Sequence, residues 1–218
     1  MNSIQEVASK IETVGGYAPP LSSTIKPKKV LVINGHPDPL SFNRALSEAY
    51  VKGASTMDNN IEVLNIGELA FNPNLAFGYR EKTELEPDLL KAIDLIKSAD
   101  HLVWVFPMWW YGYPALMKGF IDRTFLPGVF FKYQKGKAFP EKLLKGKTGR
   151  IIITADTVRW YDHWFMHSPA IQQFKKGTLE FCGVSPVKVS YFAVIKDSTP
   201  AQREKWLQKA ETLGSKVI

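Results

Sequence analysis

Five short apolar runs, separated by longer amphipathic segments, restrict what this chain can fold into more than any other feature. They are "KKVLVING" (28–35), "IEVLNI" (61–66), "HLVWVFP" (101–107), "GRIIITA" (149–155) and "VKVSYFAV" (187–194). A run that stays apolar without strict alternation buries side chains on both faces, as a strand does when helices cover both sides of a parallel sheet. The spacing predicts helices over 41–55, 86–99, 114–125, 169–183 and 199–214; the second carries Leu89, Leu90, Ile93 and Ile96 on one face. The last opens with Thr199-Pro200 and closes near Gly214, a start signal and a stop signal.

Strands alternating with helices predict an α/β fold with right-handed crossovers. The size matches a flavodoxin-like, doubly wound sheet of five parallel strands, all of the buried type, with helices on both faces. Residues 1–27, with "GGYAPPLSSTIKP", read as an N-terminal arm ahead of a single domain at 28–218. The chain carries a formal net charge of +7. That charge admits anionic ligands without choosing one, and no nucleic-acid module accompanies it. The densest basic cluster, "KGKAFPEKLLKGKTGR", is interrupted by apolar residues and a glutamate, as in a solvated face. No run has the length of a membrane span, and the first residues lack a signal-peptide pattern. The single cysteine, Cys182, lies in "LEFCGV" and reads as a buried core residue. No internal disulfide can form, which suits a reducing cytoplasm.

In such a sheet, ligands bind outside the carboxyl ends of the strands, so the loops that follow the strands carry the function. The first, "NGHPDPLSFN" (34–43), contains neither GxGxxG nor GxxxxGK[ST], against a dinucleotide turn or a P-loop. Free N–H groups at the helix start favour an anion. Ser41 is followed three residues later by Arg44 rather than Glu or Gln, so no capping box occupies them. His36, Ser41 and Asn43 are the candidate donors there. The loop by itself serves equally well as an ordinary capped helix start. The second loop, "FPMWWYGYP" (106–114), sets Trp109, Trp110 and Tyr111 at a strand end, with Phe106 in the core. Pro114 opens the next helix. The third, "TADTVRWYDHWFMHSPA" (154–170), adds four aromatic residues, His163 and His167. Imidazole titrates near neutrality, which suits proton transfer. With Asp156 and Asp162 nearby but no HExxH-type spacing, no metal site is expected. An anion cradle beside two aromatic walls suits a flat, phosphate-bearing ligand, with a flavin ahead of a nucleotide that merely binds.

Together, "HPDPLSFN", "FPMWWYGYPALMKGFIDR" and "LEFCG" resemble the NAD(P)H:quinone oxidoreductases of DT-diaphorase type, over about residues 28–195. That group includes drug-modulator reductases and ancillary subunits of potassium efflux systems. The resemblance implies a homodimeric flavoprotein. It would pass hydride from NAD(P)H to flavin and on to a quinone or similar acceptor, in ping-pong exchange. By position, His36, Ser41, Phe42 and Asn43 match the segment holding the flavin phosphate and ribityl chain. Pro107, Met108, Trp109, Trp110 and Tyr111 match the segment flanking the ring. Where the family has Thr-Thr-Gly-Gly, this chain has Thr154, Ala155, Asp156 and Thr157. Asp156 cannot imitate a glycine, so the loop's path departs from the family's. Tyr161 and His167 keep the spacing of the family's proton-transfer pair, with His163 the rival. FMN is expected rather than FAD, because the long C-terminal region of some relatives is missing. The alternatives are a flavin-binding ancillary protein of a membrane transporter and a flavodoxin-like electron carrier; the basic charge disfavours the carrier.

Overall fold

The most apolar runs become the centre of a parallel sheet. In a computed structural model of the chain, which describes residues 27–217, the strands are β1 (Lys29–Asn34), β2 (Asn60–Asn65), β3 (His101–Pro107), β4 (Phe131–Lys132), β5 (Glu141–Lys142), β6 (Thr148–Ala155) and β7 (Val187–Ala193). Five of them form one sheet in the order β2-β1-β3-β6-β7, with every neighbour parallel. Counted within that sheet the order is 2-1-3-4-5, that of the flavodoxin-like fold. The helices are α1 (Phe42–Ala54), α2 (Pro87–Ser98), α3 (Ala115–Thr124), α4 (Arg159–Trp164), α5 (Pro169–Ile171, continuing through wide π turns over Gln172–Glu180) and α6 (Pro200–Gly214). Apart from Pro27, the expected N-terminal arm lies outside the described residues.

Successive strand residues point to opposite faces, which is why the three central strands, covered on both, are apolar over most of their length. On one face Leu31, Ile33, Trp104, Phe106, Ile151 and Ile153 pack under α2, α3 and α5. There the Trp104 and Phe174 rings meet edge to face at 4.9 Å. On the other face Val30, Val32, Val103, Val105 and Ile152 pack under Leu46 and Tyr50 of α1 and Trp206 of α6. Burying such side chains stabilises the fold by about 1.5–3 kcal/mol each. Gly53 and Gly214 let α1 and α6 approach closely, since a Cβ at either would collide with the other helix's backbone. Cys182 is buried, and burial raises its thiol pKa to about 12, so it behaves as an apolar filler.

Several features depart from expectation. β2 is an edge strand, and only Leu64 of it is buried, because no helix or strand covers its outer side fully. Pro114 caps α3 rather than opening it. The antiparallel β4–β5 ribbon lies in a segment to which the sequence assigns no element, and the short α4 lies in the loop read after the fourth strand.

His101, at the start of β3, is buried between Tyr50 and Thr148. Its Nε2 lies 3.3 Å from the Tyr50 hydroxyl and its Nδ1 2.6 Å from Thr148 Oγ1. Burial, with smaller contributions from Lys28 and Arg150, lowers its pKa to about 3. The unfolded chain therefore binds this proton near pH 6.5 while the folded chain does not, and stability falls as the pH drops from 6.5 towards 3. Urea unfolding at pH 5 should show about 2 kcal/mol less stability from this group than at pH 7.5. His101→Gln, which keeps polar contacts without titrating, should remove that part of the slope; an unchanged slope would assign it elsewhere.

Candidate functional site

β1 sends its chain to α1 on one face, and β3 sends its chain to α3 on the other. The two strands are hydrogen-bonded neighbours, so their exit loops part and leave a crevice between them. Gly35 begins the first loop where a Cβ would collide with the Met117 side chain. The loop is then held by short-range bonds. The His36 N–H donates to Asn34 Oδ1 (3.1 Å), the Asp38 N–H to His36 Nδ1 (3.0 Å) and the Leu40 N–H to Asp38 Oδ1 (2.9 Å). Ser41 caps α1 by accepting from the Arg44 N–H at 3.3 Å. The cap engages the N–H of Arg44, while those of Phe42 and Asn43 lead the helix towards the crevice. Burial lowers the His36 pKa, opposed by the Asp38 carboxylate, so the ring is neutral at neutral pH. With Nδ1 accepting, its proton sits on Nε2, a donor at the rim.

Asn43 is 4% exposed, and its Oδ1 accepts from Thr154 Oγ1 at 3.1 Å, tying α1 to β6. Its Nδ2 is buried without a hydrogen-bond partner. An unmet buried donor costs about 1–3 kcal/mol, which a ligand acceptor in the crevice would recover.

The second loop is fixed to β6 by the Met108 N–H donating to the Thr154 carbonyl at 2.7 Å. Trp109 and Gly112 exchange both backbone hydrogen bonds, at 3.0 and 2.9 Å. Between them Trp110 (φ 51°) and Tyr111 (φ 56°) form a two-residue turn of the I′ kind. Left-handed backbone costs a side-chain-bearing residue about 1–2 kcal/mol, so this turn is held against a local preference. It carries Trp110 fully into solvent, while Trp109, still 45% exposed, sets its ring edge-to-face against His36 at 5.4 Å.

The three loops close around one cleft of about 220 Å³. His36, Asp38, Ser41, Phe42 and Asn43 line it from the first loop, Pro107, Met108 and Trp109 from the second, and Thr154, Ala155 and Asp156 from the third, with Ile195 beyond β7. Trp110, Tyr111 and Thr157 stand outside this lining, as do Tyr161 and His167 on the segment around α4. Tyr161 stacks on Phe165 at 5.4 Å, and His163 packs against Trp164. Asp156, where the resembling family has glycine, points its Oδ1 away to accept from the Lys196 N–H at 2.7 Å. The carboxylate thereby joins the third loop to the chain leaving β7, and the neighbouring Ala155 completes the cleft wall.

Sequence reading missed Asp38, Ile195 and Arg203. Arg203 lies 5.7 Å from the Phe42 ring centroid and donates to Ser198 Oγ and to the Ile195 carbonyl, which sets a cation beside the anion end of the cleft. Asp38 lies within the loop already singled out; Ile195 lines the cleft from the β7–α6 connection, and Arg203 of α6 stands behind Phe42 and Ile195 without lining it. The donor set fits a flavin. The α1 start, Ser41 and Arg203 suit a phosphate, Asn43 Nδ2 offers a free donor, and Trp109, Met108 and Pro107 form an apolar wall. Asn43→Leu and Arg203→Ala should each weaken FMN binding by about tenfold or more, followed by quenching of flavin fluorescence. Trp110→Ala should leave it within about twofold, since the ring stands outside the cleft lining.

Comparison with known proteins agrees with this architecture. A Haemophilus influenzae protein named as an uncharacterized NAD(P)H oxidoreductase is 28% identical over 170 residues, 76% of this chain and 83% of its own. A mouse ribosyldihydronicotinamide dehydrogenase [quinone] is 24% identical over 218 residues, 85% of this chain and 92% of its own. The solved structure of Smu.1420 from Streptococcus mutans UA159 superposes with a TM-score of 0.77 at 31% identity, covering 86% of this chain and 99% of that one. The family model described as flavodoxin-like fold matches residues 28–213, and the chain belongs to that family.

Proposed function

We propose that this chain is a flavin-dependent NAD(P)H oxidoreductase that passes hydride from NAD(P)H, through bound FMN, to a quinone or similar small aromatic acceptor. The observation that carries the reading is the meeting of an anion-ready helix start, the unpaired Asn43 Nδ2 and the Trp109 wall in one cleft at the switch point of the sheet. The quinone-named mouse relative supports the acceptor class. The cleft lining supplies one anion end and one apolar wall, the two features FMN needs, whereas the adenosine of FAD would need a further site.

When bound, the flavin supplies hydride acceptance and donation. The chain's own residues do the rest. Phe42 would shield a bound flavin from water, and Pro107, Met108 and Trp109 would wall it. His36 Nε2–H and Asn43 Nδ2–H donate to ligand oxygens. Tyr161 and His167 are the proton donors to the acceptor's oxygens as negative charge develops there. The two substrates occupy the same space in turn. Exposed aromatic side chains at Trp110, Trp160, Trp164 and Phe165 give the chain apolar surface for a homodimer. A reducing cytoplasm suits the lone, buried Cys182.

Release and identification of the bound flavin, then anaerobic titration with NADH and NADPH, tests this reading. The expected result is FMN that bleaches on addition of either nucleotide and recolours on addition of a quinone. A colourless protein that takes up no flavin sinks the reading, and bound flavin that no nucleotide reduces points to a carrier or ancillary role. Tyr161→Phe and His167→Ala should each lower kcat by roughly tenfold to a hundredfold with flavin still bound; unchanged rates would move proton transfer to other groups.

A further inference from the structure

Tyr161 and His167 are six residues apart on an aromatic segment, and the pair that directly follows them, Asp162 and Ser168, is locked together. The Ser168 N–H donates to the Asp162 carbonyl at 2.7 Å. Arg159 Nη1 donates to Asp162 Oδ2 at 2.6 Å and to Ser168 Oγ at 2.8 Å, so one guanidinium nitrogen bridges both ends of the loop. The Asp162 side chain is 1% exposed, which places a carboxylate inside a turn whose rings otherwise face solvent. Its Oδ1 is buried without a partner, so this is a charge that the fold tolerates rather than one it fully satisfies. His167 (φ 57°) and Ser168 (φ 49°) are both left-handed, a costly backbone path for two residues in succession.

Outside the loop, the Arg159 guanidinium lies over the Tyr191 ring at 5.1 Å, and the Tyr191 hydroxyl donates to the Thr157 carbonyl at 2.8 Å. The clasp is thereby anchored to β7, and so is Thr157, one of the two positions where the resembling family has glycine.

We infer that Asp162, clasped by Arg159 to Ser168, is a positioning residue that holds Tyr161 and His167 in a fixed mutual relation for proton transfer. This rests on the reading of those two as the proton donors. A buried ionic clasp need not add stability, because a well-packed apolar pair can serve as well; its return here is geometry. Each partner is adjacent in sequence to one donor, so releasing the clasp frees both.

The test uses the flavin-loaded protein with Arg159→Ala and, as the milder change that removes one acceptor and no charge, Ser168→Ala. The expected outcome is a kcat at least tenfold lower for Arg159→Ala and at least threefold lower for Ser168→Ala. Flavin affinity and quinone KM should stay within twofold, and the Ser168 amide should exchange its hydrogen at least tenfold faster in Arg159→Ala. Adding Arg159→Ala to the Tyr161→Phe/His167→Ala double variant should slow the enzyme little further, since both donors the clasp positions are already gone. Independent, fully multiplied losses would show a merely structural role and overturn the inference, as would unchanged kcat in both clasp variants. Turnover indifferent to Tyr161→Phe and His167→Ala overturns the proton-donor reading itself. Sensitivity to those two with indifference to Arg159→Ala and Ser168→Ala overturns the clasp alone.

Discussion

The parallel pairing of β1 with β3, from Val30 opposite His101 to Asn34 opposite Val105, is the contact on which the rest of the molecule depends. Those two strands lie side by side, yet their helices leave on opposite faces of the sheet. Nothing can then fill the space above their shared carboxyl end except the loops themselves. The crevice is therefore a consequence of chain direction, and its walls come from whichever residues follow Asn34 and Pro107. Close packing below it keeps the loop ends in register, with Gly35 seated against Met117 and the Met108 N–H bound to the Thr154 carbonyl.

Two pairs of side-chain-bearing residues adopt left-handed backbone in the segments that follow β3 and β6, Trp110-Tyr111 and His167-Ser168. Neither pair contains the glycine that would relieve the conformation. Each is held by bonds from its neighbours: the reciprocal Trp109–Gly112 bonds in the first case, and the Asp162–Arg159–Ser168 clasp in the second. Local preference has thus been overruled twice near the candidate site, which is where such strain concentrates in proteins. The first turn moves two aromatic rings out of the cleft, and the second joins the loop that carries Tyr161 and His167.

The five strands of the main sheet and their order of appearance were legible because a strand buried on both faces writes its burial as an unbroken apolar run. β3, read as 101–107, is the plainest case. β2 was overread, since an edge strand with one apolar residue turned inward carries nearly the same composition as a central one. The ribbon of β4 and β5 left no signal because each strand is two residues long. Among candidate site residues, His36 to Asn43 share a short loop, so contiguity alone brought them together. Trp110 and Tyr111 stand outside the cleft lining because both take a positive φ, and the sign of φ at a turn without glycine is not written in residue type. Ile195 and Arg203 were invisible for another reason: they follow β7 in the chain, and Ile195 meets the cleft, with Arg203 behind it, only when the sheet is assembled.

The sequence by itself determined the class of fold and the edge of the sheet where a ligand belongs, since burial on both faces and the strand-to-loop order are local properties of the chain. Tertiary structure decided which groups face that ligand. It turned Asp156 towards Lys196, left Asn43 Nδ2 without a partner at the cleft, and brought Arg203 beside Phe42. It also clasped Asp162 to Arg159 and Ser168. Those outcomes depend on side-chain direction and on contacts between segments distant in sequence, which are set only when both faces of the sheet are packed.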